Sequence, residues 1–152
     1  MTRLRRTLVA TDPRNPDPTS EAVRRSMQGN RARGTRPEIL AQRALRVAGY
    51  RGYRLSWLTT AGRIDIAYPG RRVAVLVHGC FWHGCSRHRT VPKTNAAFWS
   101  AKIAANRARD RRMRRRLAAA GWSAIEIWEC ALIADPGLAV SSAVRVLNGT
   151  RL

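Results

Sequence analysis

Acidic residues are scarce in this chain of 152: 9 Asp+Glu stand against 29 Lys+Arg, for a formal net charge of +20. A charge so one-sided repels itself unless a polyanion relieves it, so nucleic acid is the natural partner. Lysine is nearly missing too, with only Lys93 and Lys102. Arginine carries the rest, and its planar fork suits phosphates and guanine edges, although a GC-rich coding bias gives the same preference. Long apolar runs are absent, none approaching the roughly 18 residues of a membrane-spanning helix. The stretch MTRLRRTLVATDPRNPDPTS has no apolar core followed by a cleavage site, so a cytoplasmic protein with no membrane association is expected. Cysteine occurs three times, an odd number that cannot all pair within one chain. In a reducing compartment such residues, grouped with His, more often bind metal. No internal repeat is visible, and 45% hydrophobic content over this length suits one folded domain.

Residues 1–19 carry Pro13, Pro16 and Pro18 among polar residues and are expected to form a flexible basic arm, with a single domain over residues 20–152. Glu21 to Gln28 can form a short helix, broken by the Gly-rich stretch that follows. Thr35-Arg-Pro37-Glu38 predicts a helix start, because Thr35 can cap, Pro37 fits the first turn and Glu38 completes a capping box. That helix should run to Ala48, with Leu40, Ala44 and Val47 as its apolar face, Ile39 and Leu45 flanking, and Gly49 as its stop. Strands are expected at Tyr53 to Trp57, Ile64 to Tyr68 and Val73 to His78, the last two joined through Pro69-Gly70. Thr94 should cap a long helix through about Ala120, ended by Gly121. Ala124 to Trp128 reads as a further strand and Leu138 to Leu147 as a final helix. The order αβββαβα indicates the α/β class, a mixed sheet flanked by helices.

Chemistry concentrates in one stretch, His78-Gly-Cys80-Phe81-Trp82-His83-Gly-Cys85-Ser-Arg-His88, which holds every histidine and two of the three cysteines. Cys80, Cys85, His88 and the later Cys130 are four ligands of the kind that tetrahedral structural zinc prefers; buried thiols beside a surface histidine are the plainer reading. Asp65 interrupts an otherwise apolar strand, where a lone carboxylate is costly without a cation. If the hairpin pairs in register, Asp65 lies opposite Leu76 and Val77, where His78 leaves the sheet. A hard divalent ion would supply the charge, as would a salt bridge to Arg63 or Arg72. On the long helix, Trp99, Ile103, Asn106, Asp110, Met113 and Leu117 share one face, so Asp110 either turns inward to orient a histidine or water, or pairs with Arg107, Arg109 or Arg114.

Taken with Phe98-Trp99, Asn106-x3-Asp110 and Trp128-Glu129-Cys130, these motifs resemble the very short patch repair (Vsr-type) DNA mismatch endonucleases from about Ser26 to Leu132. The resemblance implies a restriction-endonuclease-like α/β core with a structural zinc and catalytic magnesium. It also implies nicking of one strand 5′ to the T of a T:G mismatch in double-stranded DNA; one active site in one domain suits such a nick, so a monomer is expected. Asp65 and the Val77 backbone carbonyl would hold magnesium, and His83 would activate the attacking water. His78, Glu38 and Asp110 would contact the phosphate or orient water and histidine. Cys80, Cys85, His88 and Cys130 would hold zinc, with Cys85 where the family pattern has His. Phe81, Trp82 and Trp99 would wedge into the base stack, and Met27 would enter from the opposite groove. Strand Val73 to His78 lacks the Glu-x-Lys of wider restriction-like nucleases, so a histidine must substitute. Two other readings fit the same residues: a zinc-stabilised, non-catalytic nucleic-acid-binding module, and a restriction-like or structure-specific nuclease of different specificity.

Overall fold

The computed structural model describes residues 33–88 and 92–149, and places four strands and four α-helices in the order αβββαβαα. Helix α1 (Arg36–Val47) starts as its sequence predicts. Thr35 caps it, the Glu38 backbone N–H approaches Thr35 Oγ1 at 3.5 Å, and Glu38 returns through Oε1 to Thr35 Oγ1 and through Oε2 to the Gly34 N–H, both at 2.9 Å. Its end is also as expected: Gly49 takes φ +93°, and the Tyr50 N–H reaches back to the Leu45 carbonyl. The buried face differs. Pro37, Ala41, Ala44 and Leu45 are buried while Val47 is 90% exposed. Small alanines, not the larger Val47, allow α1 to pack closely on the neighbouring helix.

Strands β1 (Arg54–Thr59), β2 (Gly62–Tyr68) and β3 (Val73–His78) form an antiparallel run, and β4 (Ser123–Trp128) adds in parallel beside β3. The crossover between β3 and β4 carries α2 (Ala96–Ala119), and two helices follow, α3 (Glu129–Ala134) and α4 (Pro136–Gly149). Asn95 at φ +57°, rather than Thr94, occupies the cap of α2, with no side-chain hydrogen bond; α3 was not expected.

Alternation along β3 divides the molecule. Val73 and Val75 face α1 and α4 with Ile66, Leu45, Val140 and Leu147, whereas Ala74 and Leu76 face α2 with Leu117 and Met113. Each cluster loses its solvent shell on one side of the sheet, at about 25 cal/mol per Å² of apolar surface buried. By the same alternation His78 belongs to the α2 side. The pattern breaks at one place in β2: Ile64 joins the α2 cluster and Ile66 the other, so Asp65 lies where the strand turns over. Opposite it on β1, Ser56 takes φ +49°, a left-handed backbone rare inside a strand. The β2–β3 pairing ends at Ile66 and Val75, and beyond that point the Asp65 carboxylate replaces the missing backbone acceptor.

Candidate active site and metal centre

The C-terminal end of β3, the loop after it, α1 and α2 surround an open cleft of about 1400 Å³ lined by Glu38, Asp65, Val77, His78, His83 and Asp110. Asp65 Oδ2 accepts a hydrogen bond from the Val77 N–H at 2.8 Å, in the register expected from the hairpin. No arginine among the described residues pairs with it; Arg72 turns instead to the Ala120 carbonyl. Burial pushes the Asp65 carboxyl up to about 6, against the lowering effect of the Val77 N–H, and the nearby charge of Glu38 adds to the rise. A half-satisfied buried carboxylate of this kind suits a hard divalent cation, which prefers oxygen ligands.

Helix α2 turns Asp110 inward. Its Oδ2 lies 2.6 Å from His83 Nδ1 and 3.9 Å from His78 Nδ1, while Arg109 approaches only Oδ1, at 4.0 Å. Burial raises the Asp110 carboxyl, but the His83 hydrogen bond and the histidine and arginine charges outweigh it and hold the group below its ordinary value. With Asp110 ionised, His83 donates from Nδ1, and in the neutral ring Nε2 then bears the lone pair that a water-activating histidine requires. The two histidine rings lie 4.3 Å apart. Glu38 serves twice, since its capping hydrogen bonds hold it on the cleft wall and its charge is felt at Asp65.

Behind the cleft, Cys80, Cys85, His88 and Cys130 bring their ligand atoms within 4.8 Å of one another. The Cys85 and Cys130 sulfurs are 3.8 Å apart, as are Cys85 Sγ and His88 Nδ1. A tetrahedral ion with Zn–S bonds of about 2.3 Å requires an S–S edge of about 3.8 Å, so the donor set fits zinc in both chemistry and span. Burial first, then the Cys130 and Cys85 side chains, push Cys80 up to about 12. Cys85 comes down to about 6, because the His88 ring and the Arg87 and His88 backbone N–H groups outweigh its burial. Thiols this close cannot all ionise unaided, and a divalent cation between them removes the conflict. The loop is tightly built: the His83 and Cys85 N–H groups return to the Gly79 and Cys80 carbonyls, and Glu129 accepts the Cys80 N–H at 3.1 Å. Gly84 is required there, with φ +62° and a Cβ position only 2.8 Å from Ile103 of α2.

Phe81, Trp82 and Trp99 form one edge-to-face cluster, with ring centroids 5.1 to 5.7 Å apart, extended by Phe98. All four are only partly buried, and Lys102 lies over the Trp82, Phe98 and Trp99 rings. Asn106 fixes the loop by donating to the Trp82 carbonyl at 2.9 Å. Met27 and the arm lie outside the described residues. One polar group escaped the sequence reading, Glu126 of β4, which approaches His78 Nε2 at 3.2 Å; Arg114, read from sequence as a possible partner of Asp110, meets the other Glu126 oxygen at 3.1 Å. The signal was present, since Glu126, like Asp65, is a lone carboxylate in an apolar strand.

The family model described as DNA mismatch endonuclease Vsr matches residues 17–89. A type II nicking enzyme of Xanthomonas oryzae pv. oryzae is 45% identical over 113 residues, covering 74% of this chain and 82% of the relative. Another, from Lentzea aerocolonigenes, is 40% identical over 130 residues, covering 82% and 78%. The DNA mismatch endonuclease Vsr of Escherichia coli is 37% identical over 106 residues, 67% of each chain. With a mixed sheet flanked by helices and the conjunction of Asp65, the two histidines and the Cys/His cluster, the chain belongs to the Vsr family of DNA endonucleases.

Proposed function

We propose that the protein nicks one strand of double-stranded DNA on the 5′ side of the T in a T:G mismatch, by magnesium-dependent phosphodiester hydrolysis with His83 as general base. The observation that carries this reading is the His83–Asp110 contact of 2.6 Å beside Asp65 in one open cleft. Asp65 and the Val77 carbonyl hold magnesium, which when bound supplies charge neutralisation at the phosphate and the leaving 3′ oxygen. Asp110 orients His83, whose Nε2 takes the proton of the attacking water; the ends formed are a 3′ hydroxyl and a 5′ phosphate. His78 and Glu38 face the phosphate and its water. Zinc at Cys80, Cys85, His88 and Cys130 holds the loop that carries the aromatics. Phe81, Trp82 and Trp99 insert into a base step, which costs a few kcal/mol, and less where a mismatch already weakens the stack. In this reading Met27 contacts the duplex from the opposite groove, the basic arm, residues 1–19, adds phosphate contacts, residues 20–152 act as a single endonuclease domain, and one site per monomer suits a nick.

Duplexes with a T:G pair, with other mismatches and fully paired, each incubated with magnesium across varied flanking sequence, test the reading. Expected is a single nick 5′ to the T, dependent on magnesium and much slower on the paired duplex. Binding without a magnesium-dependent nick, by protein of full zinc content, refutes it.

A further inference from the structure

Glu126 is the carboxylate near the cleft that the mechanism above leaves without a task. It sits in β4 between Ile125 and Ile127, opposite Leu76 of β3. A charge on that face is costly unless both oxygens are satisfied, and both are: Oε1 by His78 Nε2 at 3.2 Å, and Oε2 by Arg114 Nη1 at 3.1 Å. The His78 contact, opposed in part by burial, holds the Glu126 carboxyl below its ordinary range. An ionised carboxylate only accepts hydrogen bonds. Nε2 must therefore carry the hydrogen, and in a neutral ring Nδ1 then bears the lone pair.

The position of Nδ1 gives this consequence. His78 is 4% exposed, and its Nδ1 is buried without a hydrogen-bond partner among the described residues, 3.9 Å from Asp110 Oδ2. The ring is sandwiched, 4.3 Å from His83 and 5.1 Å from Trp128. We infer that Glu126, itself held by Arg114 of α2, is a positioning residue: it fixes His78 in the Nε2–H tautomer and so leaves Asp110 Oδ2 to His83. Without it the one carboxylate among the described residues within 4.0 Å of a ring nitrogen is Asp110, on the opposite nitrogen. The ring then takes the Nδ1–H tautomer, donates to Asp110, and competes with His83 for the oxygen that orients the base. Glu126 thus keeps two adjacent histidines from sharing one carboxylate.

This inference rests on the cleft being the nicking site, but its first readout needs no DNA. Long-range 1H–15N spectra of the full-length zinc-loaded protein distinguish the two neutral tautomers of His78 from each other and from the doubly protonated ring. Expected is Nε2–H in the wild type and Nδ1–H in Glu126→Leu, which keeps an apolar strand and comparable volume. The single-turnover nicking rate of E126L should fall about tenfold or more while its affinity for the duplex stays unchanged. Glu126→Gln can still accept from Nε2–H and should recover both the tautomer and most of the rate. Wild-type protein with Nδ1 protonated overturns the assignment. So does a folded E126L that retains Nε2–H, or one that changes tautomer yet nicks at the wild-type rate. Should E126L fail to fold, E126Q decides, because tautomer and rate must be kept or lost together. A wild-type protein that shows the expected spectrum but nicks no T:G duplex counts against the proposed function and not against the role of Glu126.

Discussion

Replacing Asp65 by Asn should make the magnesium-free protein more stable and inactive at once. Burial is the main reason that the carboxyl sits at about 6 rather than 3.8, with Val77 donating one hydrogen bond in partial relief. At about 1.4 kcal/mol per tenfold change in acidity, that difference is worth up to about 3 kcal/mol. The sign follows from linkage. The folded state holds this proton more tightly than the unfolded chain, so the group's contribution is fully present below about pH 4 and is lost as pH rises towards 6. At neutral pH the ionised carboxylate therefore carries its whole desolvation penalty. Asn preserves the shape and an oxygen for the Val77 N–H but brings no charge. Thermal unfolding without added magnesium, and without a chelator that would strip the zinc, should give Asp65→Asn a Tm about 3–10 °C above wild type at pH 8 and no advantage below pH 4. Added magnesium should raise the wild-type Tm and leave the variant unmoved. A variant less stable than wild type at pH 8, or a Tm difference independent of pH, refutes the reasoning.

His83→Ala should fold and hold zinc but lose nicking by about 10²- to 10⁴-fold, measured in single turnover; a normal rate would exclude it as the base. Cys85→Ala should lose zinc by metal analysis and about 10 °C in Tm, since removing a structural cross-link costs a few kcal/mol. Trp82→Ala should reduce discrimination between T:G and paired duplexes about tenfold, read by competition nicking, while affinity for paired DNA changes little. Arg112 lines the cleft; Arg112→Ala should weaken binding alike on all sequences and lower the slope of log affinity against log salt by about 1, tested by titration from low to moderate salt.

Much of the site was legible because its physics is local. Asp65 stood out as a carboxylate among Ile64, Ile66 and Ala67, and the hairpin turn placed it beside Val77. The α2 face was readable from spacing, and its two polar interruptions, Asn106 and Asp110, are the residues that turn to the loop. What was not legible depended on tertiary choice. The buried side of α1 follows Ala41 and Leu45 because small residues allow a close helix approach, a preference that a count of large apolar residues misses. Helix α3 has six residues, too few to show a period. Glu126 acquired meaning only once the parallel pairing of β3 with β4 brought it to His78. Asn95 caps through a left-handed backbone, which a search for side-chain caps passes over.

The Cys/His cluster sits two residues beyond the paired ends of β3 and β4, where His78 and Trp128 are partners, and Cys85 is 45 residues from Cys130. Topologically, an ion there turns the whole crossover, α2 included, into a closed ring anchored on the sheet. Treated as a cross-link, closing a ring of that size removes about 4 kcal/mol of chain entropy from the unfolded state. Unlike a disulfide, such a clasp survives a reducing environment and answers to the supply of metal. Opening it would free one segment carrying Asp110, Asn106 and Trp99, so on the proposed function the capacity to sense a weakened base stack and the capacity to cut beside it would disappear in the same event.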